Sequence, residues 1–364
     1  MTDVCQQCER RAWLLERLGI RLDFRARDLS YLWRLLELSD RDLIDAVGGR
    51  QLDGLHQAYE LWETSLEQTD RDIERICMHH TAYPACLSRD ALAPRTLGVR
   101  GGLDRLNETL TPKVVAVVGT RRATDYGMEL ARELSRELAS CGLTVMSGVG
   151  EGVAGAAQTG VLEAGAMPLA VMAGSLSRCS PACCEPLYRR VVEKGCVISE
   201  QAFSGDVRAR SWWSPAVDRT LALLAELTIV VEAGEHPREL ACARVAWTRG
   251  KHVAAVPGRV TSPASKGTNE LLMHGARLVR NTQDALDTLY GVGGMEARRQ
   301  TIEPVLLDPR LTEVLADVGR GKDTVSKLAK DDAEPGELAL ALAELELKGL
   351  LVRGDGGRYV PSAL

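Results

Sequence analysis

Two glycine-rich turns carry the residue types suited to holding phosphate. An apolar run, Val114-Val115-Ala116-Val117-Val118, passes directly into Gly119-Thr120-Arg121-Arg122-Ala123-Thr124-Asp125-Tyr126-Gly127. A second run, Leu143-Thr144-Val145-Met146, passes into Ser147-Gly148-Val149-Gly150-Glu151-Gly152. Glycine lets the backbone approach an anion, amides at a helix start donate to its oxygens, and an arginine fork adds charge. Arg121 follows the Gly-Thr turn and is expected to point into the crevice between the two turns. Arg122 has the plainer alternative of a surface residue. No acid, base or nucleophile converges on this crevice in the sequence. Glu232, at a later strand end, is the one well-placed carboxylate, and a structural role facing a helix is expected of it.

Two further clusters carry chemistry. Arg208-Ala209-Arg210-Ser211-Trp212-Trp213 sets two tryptophans side by side in a polar loop, in a chain with only 4% aromatic residues. Bases stack on aromatic faces for about 1–3 kcal/mol each while neighbouring arginines hold the backbone. The alternative is that one tryptophan packs beneath the loop. Cys5-Gln6-Gln7-Cys8 has metal-ligand spacing, but a tetrahedral zinc site needs four ligands. Cys77-Met78-His79-His80 offers Cys77 and His79 as the second pair, with Cys86 nearby. A zinc ion there would clasp the two ends of the N-terminal helical segment; reduced cysteines beside a solvated histidine pair stay open as the alternative. Cys179, Cys183 and Cys184 read as small buried residues in a proline loop, the other reading being a redox-sensitive loop.

The elements that must position these groups follow from periodicity. Residues 1–77 read as a helical domain, with apolar residues three and four apart, Ser39 as an N-cap and Gly48-Gly49 as a stop. A short helix ending in two glycines resembles half of a helix-hairpin-helix unit, beside the reading of a plain helical bundle. Residues 78–112, with Pro84, Pro94, Gly98, Gly101 and Gly102, read as an irregular connecting segment. Residues 113–290 alternate strand and helix, with strands at Val114–Val118, Leu143–Met146, Leu169–Met172, Cys196–Ser199, Thr228–Glu232, His252–Val256 and Ala276–Val279. Continuous apolar strands are buried on both faces, which predicts an α/β fold with a doubly wound, Rossmann-like parallel sheet. Residues 291–305 read as a linker. Residues 306–364 read as three helices and a hairpin, a winged helix.

Bulk properties set limits. The chain has 364 residues, 45% of them hydrophobic, enough for two or three domains with aliphatic cores. A net charge of −5 argues against general coating of nucleic acid and is silent on a focused basic cleft. No apolar run approaches the ~20 residues of a membrane span, and the first residues lack a signal-peptide pattern. A cytoplasmic location is expected, with ten reduced cysteines rather than a disulfide framework.

Three motifs together resemble the DprA/Smf family of DNA-processing proteins. They are Gly119-Thr120-Arg121 followed by Tyr126-Gly127, Ser147-Gly148 with Gly152, and Val256-Pro257-Gly258 followed by Gly267-Thr268-Asn269-Glu270-Leu271-Leu272. The resemblance runs over nearly the whole length, with a helical (SAM-like) N-terminal domain, an extended Rossmann-like domain and a C-terminal winged helix in the family's order. It implies a non-enzymatic, homodimeric single-stranded-DNA binder that protects incoming strands during DNA uptake and transformation and helps load the RecA recombinase. The strand contacts it implies fall on Gly119, Thr120, Arg121, Arg122, Ser147, Gly148, Arg178, Arg210, Trp212, Trp213, Arg219, Lys266, Gly267 and Asn269. The expected cofactor list is empty apart from structural zinc at Cys5, Cys8, Cys77 and His79.

The chain departs from the family pattern at several positions. An Arg-Asn-Arg segment is reduced to Val217-Asp218-Arg219. A Ser-Gly-Ser turn becomes Pro237-Arg238-Glu239. An Ile-Asp pair and a later His become Val153-Ala154 and Gln158. A Tyr-Pro and a downstream Asn become Ser180-Pro181 and Cys184, and the loop's usual basic residue is missing, although Arg178 lies nearby. Each lost phosphate contact removes one charge from binding and flattens its salt dependence.

Two other function classes compete. One is a divergent Rossmann protein that binds or processes a nucleotide, resembling the phosphoribohydrolases. Those carry Pro-Gly-Gly-x-Gly-Thr, whereas this chain has Pro257-Gly258-Arg259 at the comparable turn. The other is an adaptor whose winged helix binds duplex DNA or a protein. Its candidate recognition helix begins Pro335-Gly336-Glu337-Leu338-Ala339-Leu340, acidic and apolar, which suits protein packing better than phosphate.

Overall fold

Apolar residues three and four apart fold the N-terminal segment into helices, as expected. The computed structural model describes residues 2–25, 28–49, 52–62, 72–200, 213–236, 238–297, 308–320, 322–329, 335–348, 350–353 and 357–361. A two-residue strand β1 (Thr2–Asp3) precedes α1 (Gln6–Arg25), α2 (Leu29–Glu37), α3 (Asp40–Val47) and α4 (Leu52–Glu60). Ser39 caps α3 by accepting from the Asp42 amide, and Gly49 leaves the helix at φ +60°. Leu14, Leu18, Leu22, Leu32, Leu43 and Ile44 form the helical core. Arg11 is buried among them with all its charge answered: it donates to Asp40 at 2.7 Å and to the Leu36 carbonyl at 2.8 Å.

The next segment builds the sheet. In chain order it holds β2 (Ile73–Cys77), α5 (Ala85–Ser88), β3 (Thr96–Arg100), α6 (Leu103–Thr109), β4 (Val114–Val118), α7 (Asp125–Ser140), β5 (Thr144–Gly148), α8 (Val153–Glu163), β6 (Leu169–Val171), α9 (Glu185–Lys194) and β7 (Cys196–Ser199). It continues with α10 (Trp213–Leu224), β8 (Leu227–Val230), α11 (Ala241–Thr248), β9 (His252–Ala255), α12 (Lys266–Met273), β10 (Arg277–Leu278) and α13 (Thr282–Tyr290). The ten strands run in the order β1-β2-β3-β7-β6-β5-β4-β8-β9-β10. Strands β4 to β10 pair in parallel, and β3 runs antiparallel to both β2 and β7. Helices α7, α8 and α13 cover one face and α10 and α11 the other, so the strands are apolar on both sides. This is the doubly wound Rossmann-like sheet read from the sequence.

Two expectations are corrected. Residues 78–112 are not an irregular connection, because β3 is paired on both sides, with Gly98 opposite Ser199 and Leu97 opposite Ile76. The segment 1–77 is not wholly helical, because its last five residues form β2. In both places a five-residue run gives too weak a period to read alone, and pairing partners far along the chain decide its state. The helices and the sheet fall in one unit, Met1–Arg298.

The second unit, Arg299–Leu364, holds α14 (Pro309–Gly319), α15 (Val325–Leu328), α16 (Pro335–Leu347) and an antiparallel hairpin of β11 (Leu351–Arg353) and β12 (Tyr359–Pro361). Leu311, Val318, Leu328, Leu342, Leu345 and Leu351 form its core. Three helices followed by a hairpin is the element order expected of these residues.

Candidate nucleic-acid interface

Strand β4 lies between β5 and β8, and the chain leaves β4 and β8 toward opposite faces of the sheet. Such a switch point opens a crevice at the carboxyl ends of the strands. The Gly119–Thr124 turn stands there, and Glu232 braces both of its ends. The Thr120 amide donates to the Glu232 carbonyl at 2.7 Å. The Glu232 carboxylate accepts from the Thr124 amide at 2.8 Å and the Thr124 hydroxyl at 2.6 Å. Thr124 in turn caps α7, accepting from the Gly127 amide at 3.1 Å. Glu232 is therefore buried and engaged, in the structural role expected of it.

Glycines are required around this brace. A Cβ on Gly119 would lie 2.6 Å from the Glu232 carbonyl oxygen and 2.7 Å from Val153, and one on Gly127 would collide with the Glu232 carboxylate. Gly152 has φ +68° and sits against the Thr120 carbonyl, where a side chain would also be strained. Gly152 gives α8 no side-chain cap. A helix start of this kind offers amides to an anion.

Among the predicted contacts, Arg121 and Arg122 are exposed on the turn and Thr120 is buried beneath them. The Thr120 hydroxyl accepts from the Arg122 amide at 3.2 Å. Gly148 is half-buried at the end of β5, and Arg178 is exposed on the loop after β6. Arg210 and Trp212, with the side chain of Trp213, lie outside the described residues.

Four of the expected contacts are engaged within the fold itself. The Ser147 hydroxyl is buried and donates to the Val117 carbonyl at 2.6 Å, tying β5 to β4. The Asn269 amide grips the Gly258 backbone from both sides, at 3.2 Å and 3.1 Å, and so shapes the Pro257-Gly258 turn. Gly267 is buried, and its amide donates to the Ala233 carbonyl at 2.9 Å. Arg219 is buried in an ion pair with Glu200 and lies over the Trp33 ring at 5.6 Å. The helical period of α10 turns Arg219 inward, where it cannot reach a phosphate. Lys266 is exposed but meets Glu235 at 3.1 Å.

Asp218, one residue earlier, is the feature that sequence reasoning undervalued. Burial pushes its carboxyl up to about 7, and Arg121 pulls it back only in part. The segment that departs from the family thus sets an ionisable carboxyl within the electrostatic reach of Arg121. Gln158, at another departure, is fully buried and donates to the Leu169 carbonyl at 3.0 Å, tying α8 to β6.

At the other end of the chain, Cys5, Cys8, Cys77 and His79 come together, their sulfur and nitrogen atoms all within 4.8 Å of one another. Against the raising effect of burial, hydrogen bonds from Cys8, His79 and Cys77 bring the Cys5 thiol down to about 7. Cys86 stands apart on α5. In the proline loop Cys179 and Cys184 are buried, and burial raises their thiols to about 12 and about 11. That agrees with small packing residues at these two positions, whereas Cys183 is exposed and departs from the expected burial.

A glycine-requiring turn at the switch point of a doubly wound, mostly parallel sheet defines a Rossmann-like α/β protein. The profile of the family described as DNA recombination-mediator protein A matches residues 74–290. The chain belongs to that family. A Mycobacterium tuberculosis relative bearing the DprA name is 36% identical over 261 residues, covering 70% of this chain and 66% of its own length. Protein Smf of Escherichia coli is 30% identical over 282 residues, covering 76% and 74%. The X-ray structure of DprA from Streptococcus pneumoniae shares the fold, with a TM-score of 0.61, 24% identity, and coverage of 78% of this chain and 98% of that one. A DprA structure from Helicobacter pylori, described for its single-stranded DNA binding mode, matches with a TM-score of 0.51, 27% identity, and coverage of 59% and 98%.

Proposed function

We propose that this chain is a non-enzymatic recombination mediator that holds single-stranded DNA in the switch-point crevice. The observation that carries the reading is the braced turn that presents Arg121 beside the uncapped start of α8, in a chain of this family. Glycine, an exposed arginine and a helix start without a side-chain cap, whose Val153 amide is taken by the Thr120 carbonyl at 3.3 Å, suit successive backbone phosphates. Arg122 and Arg178 extend the positive edge, and Arg210, Trp212 and Trp213 have the residue types that hold a backbone and stack on bases. The Ser147, Asn269, Gly267 and Arg219 side chains and amides shape the crevice without touching the strand.

Protection of incoming strands, loading of the RecA recombinase, homodimer formation and a role in transformation belong to the same proposal, in the cytoplasm. The C-terminal unit, read as a winged helix, presents α16 with Glu337 and the exposed Leu340 and Leu347. That face suits a protein partner better than phosphate.

Fluorescence anisotropy with oligo-dT, duplex DNA and mononucleotides, at several salt concentrations, tests the reading. Oligo-dT binds preferentially and weakens steeply with salt. Arg121→Ala reduces its affinity at least several-fold and lowers the salt slope by about one contact. Binding of a mononucleotide without oligo-dT affinity supports the nucleotide-processing reading and overturns this one.

A further inference from the structure

Cys5 and Cys8 straddle the first turn of α1, and Cys77 ends β2 with His79 in the turn that follows. Seventy-two residues separate Cys5 from Cys77, yet the Cys5 amide lies 3.5 Å from the Cys77 sulfur. The pairing of β1 with β2, Asp3 opposite Ile76, brings the two pairs to the same place. Cys8 and Cys77 are buried while His79 stays exposed, so the cluster closes from inside and is sealed by the imidazole.

The distances decide what the cluster is. His79 Nδ1 lies 3.3 Å from the Cys5 sulfur, 3.5 Å from Cys8 and 3.9 Å from Cys77. A single ring nitrogen either donates one hydrogen or accepts at one lone pair, so hydrogen bonding accounts for one of these contacts and leaves two. A tetrahedron with metal–sulfur bonds of ~2.3 Å and a metal–nitrogen bond of ~2.0 Å has S···N edges of about 3.5 Å and S···S edges of about 3.8 Å. The three observed S···N distances bracket that edge. Three soft sulfurs and one imidazole in tetrahedral array favour zinc over harder divalent ions, and four protein ligands leave no open position for substrate.

We infer that Cys5, Cys8, Cys77 and His79 form a closed, structural zinc site that clips the start of α1 to the end of β2. The clip closes a loop holding the whole N-terminal helical segment. Binding to the folded form alone adds stability directly, because the two ligand pairs are far apart in the unfolded chain. The ligands lie away from the Arg121 turn, so the inference stands apart from the DNA-binding reading.

The test uses the full chain, purified without chelator or histidine tag. Mass spectrometry is expected to find about one zinc per chain, lost in Cys8→Ser and Cys77→Ser and kept in Cys86→Ser. Chelation lowers the melting temperature and zinc restores it. Cobalt(II) added to the stripped wild-type chain gives thiolate charge-transfer absorption that equimolar zinc bleaches; this readout decides the matter even where a cysteine variant fails to fold. A wild-type chain that carries no metal and gives no thiolate–cobalt absorption overturns the assignment. So does loss of the metal in Cys86→Ser with retention in Cys8→Ser.

Discussion

Replacing Glu232 tests whether one residue holds the crevice open. Its carboxylate makes two hydrogen bonds to Thr124, at 2.8 Å and 2.6 Å, from a site only 5% exposed. Hydrogen bonds to a charged group contribute about 1.5–3 kcal/mol each. Taking the lower figure for both, because water can reach Thr124 once the carboxylate is gone, Glu232→Ala costs about 3 kcal/mol. In the unit Met1–Arg298 that corresponds to a fall in melting temperature of about 5 °C. Glu232→Gln keeps an acceptor for the Thr124 amide and loses the charge, costing about 1 kcal/mol. The backbone bond from Thr120 to the Glu232 carbonyl survives both changes, so the turn loosens at its Thr124 end alone. Oligo-dT affinity falls while the salt slope stays at the parent value, because no phosphate-binding charge has been removed. Thermal melting and salt-titrated anisotropy check both claims. A Glu232→Ala chain that melts within a degree of the parent refutes the brace. A salt slope that drops as far as in Arg121→Ala would mean that Glu232 acts on the strand's charge directly.

Other outcomes follow from the same geometry. The Asp218 carboxyl, at about 7 in the fold against an ordinary 3.8, keeps its proton in the folded chain where the unfolded chain has lost it. Its contribution to stability therefore declines as pH rises from about 4 to about 7, and the full penalty holds above that. Asp218→Asn matches the parent near pH 4 and melts higher at pH 8. The charged form also opposes phosphate beside Arg121, so parent affinity for oligo-dT weakens between pH 6 and 8 beyond what the variant shows; parallel pH profiles would refute this. Arg219→Ala strands Glu200 in the interior and destabilises the chain by about 3–5 kcal/mol, measured by denaturant unfolding. A stable Arg219→Ala chain with a reduced salt slope would instead return Arg219 to the strand.

The parallel strands were legible because unbroken apolar runs such as Val114–Val118 have few other uses in a soluble fold. The meeting of Cys5, Cys8, Cys77 and His79 was legible because a Cys-x-x-Cys pair invites a search for a second Cys/His pair elsewhere in the chain. The contacts were harder. Ser147, Arg219 and Asn269 have residue types that suit phosphate, but composition does not say which way a side chain faces. Asp218 and Arg219 are neighbours on one helix, and about 100° of rotation separates an electrostatic partner of Arg121 from the hidden partner of Glu200. Strand β2 was masked by Glu74 and Arg75. Arg75 is buried because Glu9, 66 residues away in the chain, meets it at 3.2 Å.

The sheet ends in β1 on one side and β10 on the other, each only two residues long. An outermost strand displays unpaired amides and carbonyls that invite another molecule to extend the ladder, and a short one gives such an intruder little to grip. Thr2 and Asp3 shield part of the longer β2 in this way. Freeing the first residues of the chain would lay β2 bare, and the first symptom would be clumping of otherwise folded molecules rather than unfolding.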